Sequence, residues 1–106
     1  MKILLTGSNG QLGHDFKKIF DRKNIEYIAT DSKELDITND EKLKKFFQGN
    51  RGITHIINCA AYNDVDKAEN DEKVWLLNAK APKKLAEISK EIGAIFVTYS
   101  TDFVFD

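Results

Sequence analysis

The chain predicts a doubly wound α/β domain: a parallel sheet of at least four strands with helices on both faces. Three observations predict it. Short apolar runs alternate with stretches of helical periodicity, the pattern of βαβ units. A glycine-rich turn joins the first apolar run directly to the first amphipathic stretch. The 106 residues, 42% of them hydrophobic, are the length and composition of one domain with one buried core.

The elements follow in order. Ile3-Leu4-Leu5, ending at Gly7, reads as a buried strand. Leu12, Phe16, Ile19 and Phe20 form one face of a helix over about residues 11–22. Ile25 to Ala29 is a second strand, ending near Asp31. Thr38-Asn39-Asp40-Glu41 matches a capping box before a short helix with Leu43, Phe46 and Phe47 as its apolar stripe. Gly49-Asn50-Arg51-Gly52 stops that helix. Ile53 to Asn58 is a third strand, and a stub strand near Asp36 is expected at the far edge. Val74, Leu77, Ala81, Leu85, Ile88 and Ile92 mark the longest helix, stopped by Gly93. Pro82 inside this pattern leaves the carbonyl of Asn78 without its usual partner and is expected to bend the helix. Ala94 to Tyr99 is a fourth strand. The expected spatial order is 2-1-3-4, with right-handed crossovers.

Composition excludes several classes. The 16 Lys and Arg against 17 Asp and Glu argue against a nucleic-acid surface. The Lys pairs at 17–18, 44–45 and 83–84 read as solvated helix faces. One cysteine, Cys59, permits no internal disulfide and fits a reducing, cytoplasmic setting. The apolar run near the N-terminus is too short for a signal peptide, and no stretch approaches the ~20 apolar residues that span a bilayer. His14 and His55 lie far apart without neighbouring ligand residues, so neither suggests a metal site. Residues 94–99 are apolar on both faces and Phe103-Val104-Phe105 follows at once, which would leave an apolar sheet edge open to water. The expectation is a truncated domain over residues 1–106.

Gly7-Ser8-Asn9-Gly10-Gln11-Leu12-Gly13 carries the chemistry. Gly7 permits a tight turn after the strand. Gly10 lets a pyrophosphate approach the backbone, and Gly13 lets the helix pack closely on the sheet. Free N–H groups near Gln11 and Leu12 attract phosphate charge. Asp31, at the end of the second strand, stands where an acid takes the adenosine ribose hydroxyls. Lys33 is placed to meet a 2′-phosphate instead, so NADH and NADPH both remain open. Asp36 and Ile37 are candidates to face the adenine. A ligand-free βα turn and a surface acid would carry the same residues.

Gly7-x-x-Gly10-x-x-Gly13, Asp31, Asn58-Cys59-Ala60-Ala61 and Tyr99-Ser100-Thr101 resemble the extended short-chain dehydrogenase/reductase superfamily, whose cofactor domain is a Rossmann fold. Gly10-Gln11-Leu12-Gly13, Asp36-Ile37-Thr38-Asn39, Val65-Asp66-Lys67-Ala68-Glu69 and Ser100-Thr101-Asp102-Phe103-Val104-Phe105 look like its dTDP-4-dehydrorhamnose reductase family, along the whole chain. The resemblance implies NADH- or NADPH-dependent reduction of the 4-keto group of dTDP-6-deoxy-L-lyxo-4-hexulose to dTDP-L-rhamnose. It places Gly10, Gln11 and Leu12 on the pyrophosphate, Asp31, Asp36 and Ile37 on the adenosine half, and Ala60, Ala61 and Tyr62 along the cofactor. It makes Thr101 the catalytic Ser/Thr, which also binds the dTDP-sugar, and Asp102 its substrate-binding neighbour. A Thr at a strand's carboxyl end can hydrogen-bond a ketone oxygen as negative charge develops on it.

The resemblance also implies a homodimer, in some members with Mg2+ held by Glu residues at the dimer contact. Asp15 stands near one such position and the other ligands fall past Asp106, so no metal is assigned. The family's Tyr-x-x-x-Lys pair is not found: Tyr27, Tyr62 and Tyr99 are followed at that spacing by Asp31, Asp66 and Phe103. In the family that pair and the substrate-binding region follow the Ser-Thr-Asp segment, so the chain by itself is expected to be inactive. The alternatives are another nucleotide-sugar epimerase or dehydratase of the superfamily, or a non-catalytic relative such as the regulatory subunit of methionine adenosyltransferase.

Overall fold

The computed structural model describes residues 1–59 and 79–99. The elements run β1 (Lys2–Thr6), α1 (Gln11–Arg22), β2 (Glu26–Thr30), α2 (Asp40–Gly49), β3 (His55–Asn58), α3 (Ala81–Ile92) and β4 (Ile95–Thr98). The strands form one parallel sheet in the order β2-β1-β3-β4, as the sequence predicts. The alternation of strand and helix forces this geometry, because parallel neighbours need a crossover between them.

β1 is central, and its side chains feed both layers. Ile3 and Leu5 pack with Phe20 against α1, joined by Phe16, Ile25, Tyr27 and Ile57. Leu4 points to the opposite face, where Ile56, Leu43, Ala81 and Leu85 bring in β3, α2 and α3. Gly93 ends α3 in the left-handed region at φ 74, the stop that the sequence predicts.

Several expectations need correction. In α1 the row facing the sheet is Gly13, Phe16 and Phe20, while Leu12 and Ile19 are 39% and 40% exposed. The absent Cβ at Gly13 turns that row inward and leaves Leu12 and Ile19 on the flanks. Thr38 does not cap α2. Its backbone N–H and hydroxyl both go to Asp36 Oδ1, and Asn39 caps the helix by accepting from the Lys42 N–H at 3.1 Å. No strand forms near Asp36. The chain there runs through two successive turns, closed by the Leu35 N–H on the Asp31 carbonyl and the Asn39 N–H on the Asp36 carbonyl, while Leu35 and Ile37 are buried in the core.

Pro82 is the second residue of the regular α3 helix and, as the sequence predicts, stands inside a continuous helical run. Residues 79 and 80 before it are already helical, in π geometry. The expected bend at Asn78 and the stripe residues Val74 and Leu77 lie outside the described residues. Ile92, expected in the α3 stripe, is exposed. Ile25 and Ile53 precede their strands instead of opening them, though Ile53 is buried.

β4 carries the expected apolar edge on one face. Phe96 packs into the α2/α3 layer. Ile95, Val97 and Tyr99 project to the α1 side and are exposed, Ile95 by 59%. Tyr99 reaches back to Phe16, with ring centroids 5.8 Å apart.

Candidate functional site

The strand order reverses direction between β1 and β3, and the crevice beyond their carboxyl ends is where ligands bind in open parallel sheets. A row of polar residues lies there in register across all four strands: Thr30, Thr6, Asn58 and Thr98. The Thr6 hydroxyl donates to Asn58 Oδ1 at 2.6 Å, and Asn58 Nδ2 donates to Thr98 Oγ1 at 3.1 Å. Thr30 donates to the Leu5 carbonyl. Buried polar groups need such partners, and here the pairing ties the ends of β1, β3 and β4 together. Sequence reading missed this row. Its only signal was four strands each finishing on Thr or Asn.

The glycine loop stands above that row, and its three glycines do different work. Gly7 has φ 68, which only glycine adopts without strain. A Cβ on Gly13 would lie 2.6 Å from the Ser8 Cα and 2.8 Å from the Gly7 carbonyl oxygen. Gly10 is the open position, where a Cβ would meet nothing closer than 3.8 Å. Gly10 is also the N-cap of α1 and brings no side-chain cap, so among the described residues the first-turn N–H groups have no side-chain capping partner. This donor set fits a pyrophosphate. Ser8 is buried, and its N–H binds the Thr30 carbonyl at 3.0 Å, which anchors the loop to the end of β2. Gln11 and Leu12 are exposed at the start of α1, and Gln11 Nε2 donates to Asp15 Oδ1.

Asp31 follows Thr30 immediately. Its Oδ1 accepts the backbone N–H groups of Lys33 at 2.9 Å and Glu34 at 3.0 Å. Its own N–H donates to Glu34 Oε1 at 3.2 Å, which completes a reciprocal capping arrangement. Glu34 was missed in the sequence, although Asp-x-x-Glu has a capping-box spacing. Asp36 is held by Thr38 as described above. Ile37 is only 4% exposed and belongs to the core, so its side chain does not line an open surface.

Cys59 follows β3, its N–H bound to the Thr6 carbonyl. Burial pushes its thiol up to about 11, so it stays protonated near neutral pH. Ala60, Ala61, Tyr62, Thr101 and Asp102 lie outside the described residues, as do Val65–Glu69, Ser100 and Phe103–Phe105. A cleft of about 400 Å3 opens elsewhere, between α2 and α3, over Phe47, Ile88 and Ile92. It contains none of the predicted site residues. Among the described residues no helix is long and apolar enough to cross a membrane.

Comparison with known proteins agrees with the sequence motifs. The family described as RmlD substrate binding domain matches residues 1–106. The dTDP-4-dehydrorhamnose reductase of Mycobacterium tuberculosis is 37% identical over 106 residues, covering 99% of this chain and 34% of that protein. The crystal structure of a dTDP-4-dehydrorhamnose reductase from Clostridium acetobutylicum superimposes with a TM-score of 0.90 at 47% identity, over 100% of this chain and 38% of the other. The Bacillus anthracis dTDP-4-dehydrorhamnose reductase, solved in complex with NADP, gives 0.87 at 36% identity, over 98% and 37%. The chain thus spans about a third of the length of each of these relatives. With its parallel sheet, glycine loop and full-length match, the chain belongs to the RmlD substrate binding domain family, in which it aligns with dTDP-4-dehydrorhamnose reductases from end to end.

Proposed function

We propose that residues 1–106 form the dinucleotide-binding domain of an NAD(P)H-dependent reductase. Its substrate is dTDP-6-deoxy-L-lyxo-4-hexulose, whose 4-keto group it reduces to give dTDP-L-rhamnose. The observation that carries this reading is the glycine loop: a left-handed Gly7, an open Gly10 and a tightly packed Gly13 at the switch point between β1 and β3. Relatives that match along the chain are named dTDP-4-dehydrorhamnose reductase, and one is described in complex with NADP.

The chain's own residues divide the work. Gly10 and the N–H groups of Gln11 and Leu12 hold the pyrophosphate, favoured by the positive end of the α1 dipole. Gly7 and Gly13 shape the loop. Asp31 accepts from the adenosine ribose, and Asp36 with the Ile37 backbone borders the adenine. Ala60, Ala61 and Tyr62 line the cofactor farther along. Bound NAD(P)H supplies the hydride. Thr101 donates a hydrogen bond to the ketone oxygen, which lowers the cost of the charge that develops there. Asp102 contacts the sugar. No proton donor is assigned within residues 1–106, where none of the three Tyr residues has a Lys four positions later. A cytoplasmic location goes with this reading and with the free Cys59 thiol.

The test is titration of the purified protein with NADH and NADPH, followed by nicotinamide fluorescence. Saturable binding that Gly10→Val weakens by about tenfold or more, with thermal unfolding unchanged, is the expected result. Binding that is absent, or indifferent to Gly10→Val, sinks the proposal.

A further inference from the structure

The cleft of about 400 Å3 between α2 and α3 has no part in the dinucleotide reading. Its floor is apolar, with Phe47 from α2 and Ile88 and Ile92 from α3. Phe47 and Ile88 also pack on the core, whereas Ile92 is exposed. Charged side chains rim it with balanced signs: Asp40, Glu41 and Glu91 against Lys44, Arg51 and Lys84. Among the described residues none of these side chains is in an ion pair or hydrogen bond within the chain.

The order of the charges follows from the fold. α2 and α3 each return from the carboxyl end of the parallel sheet to its amino end, so they run parallel to each other. Asp40 and Glu41 stand across from Lys84 at one end, where a second cleft joins Asp40 to Lys80 and Lys83. Arg51 stands across from Glu91 at the other end. Acid lies on α2 and base on α3 at the first end, and the signs are exchanged at the second. This diagonal pattern is self-complementary. A second copy can turn about a two-fold axis that lies in the interface and crosses the helices. That turn sets α2 on α2 and α3 on α3, antiparallel. Asp40 and Glu41 then meet Arg51 of the second copy, Lys84 meets its Glu91, and the apolar floors close on each other. The positive end of each helix also comes to lie beside a negative end.

We infer that the α2/α3 face is a docking surface for a second copy of this chain, in an isologous antiparallel four-helix contact. It lies on the opposite layer from α1 and Asp15, and it does not depend on the dinucleotide reading. At ~1.5 Å per residue, α3 is about 18 Å long, which makes this a weak, reversible interface rather than an obligate one.

The experiment is sedimentation equilibrium of the purified protein from low to high micromolar concentration, on an Ile95→Lys background that disfavours association through β4. A monomer–dimer equilibrium in the micromolar range, weakened by salt, is expected. Lys84→Glu and Glu91→Lys each bring like charges together twice per dimer and should each weaken it by about tenfold or more. Each puts the charge that its end of α3 favours, so thermal unfolding is not expected to fall. The double variant exchanges the two charges and should return the Kd to within about threefold of the starting value. An equimolar mixture of the single variants should pair with each other more tightly than either pairs with itself. A monomer at every concentration overturns the inference. So does a dimer that the single reversals leave unchanged, or one that the double variant fails to restore.

Discussion

Gly13 packs against backbone, not against a side chain that can turn away. Its missing Cβ would meet the Ser8 Cα, the Ser8 carbonyl carbon and the Gly7 oxygen, all within 3 Å. Gly13→Ala must therefore push α1 off the loop or distort the loop itself. The expected cost is about 1–3 kcal/mol, read as a lower midpoint in urea unfolding. An unchanged midpoint would show that helix and loop do not touch as described. Gly10 separates cleanly from Gly13, because its surroundings are open and its backbone is ordinary extended chain. In the sequence the two glycines are indistinguishable, three residues apart in one repeat. That a βα turn of this kind should exist was legible. Which glycine is needed for packing and which faces open space was not, because that depends on how closely α1 seats on the turn. Asp31 was legible in the same partial way. Its position at the end of β2 could be counted out along the chain, whereas its partnership with Glu34 depends on a turn that no hydrophobic period marks.

At the level of elements, strand and helix identities follow from periodicity, and the ends follow from competition among polar side chains. α2 shows this most plainly. Thr38 and Glu41 have the spacing of a capping box, yet Asp36 takes the Thr38 hydroxyl, and the cap passes to Asn39. Asn39→Ala is expected to cost about 1 kcal/mol, whereas Glu41→Ala should stay within about 0.5 kcal/mol. Thermal unfolding of the two variants side by side checks this, and equal losses would restore the capping box. The opposite case is α3, whose stop at Gly93 could be read directly. No polar side chain competes there, and a left-handed turn after the last helical residue strongly favours glycine. Pro82 falls between these cases. It is the second residue of the regular α3 helix, yet residues 79 and 80 before it are already helical, so its effect depends on a helix start that sequence fixes only to within about two residues.

For the molecule as a whole, the order β2-β1-β3-β4 was legible because right-handed crossovers and short connections leave few alternatives. The same reading anticipated the apolar face of β4, where Ile95, Val97 and Tyr99 meet water. Such a face promotes association of the chain with itself. Ile95→Lys is expected to reduce light scattering of the 1–106 chain while changing its stability by no more than about 0.5 kcal/mol. Scattering equal in the two proteins would mean that the face is not what drives association. The central place of β1 has a consequence for how the protein is made. β1 leaves the ribosome before both of the strands that flank it, and its second neighbour ends at Asn58, 28 residues after β2 ends at Thr30. At ~5–20 residues per second the nascent β1-α1-β2 unit waits about 1–6 seconds with one flank of its central strand unpaired. During translation that interval, more than any feature of the finished domain, is when a chaperone has most to bind.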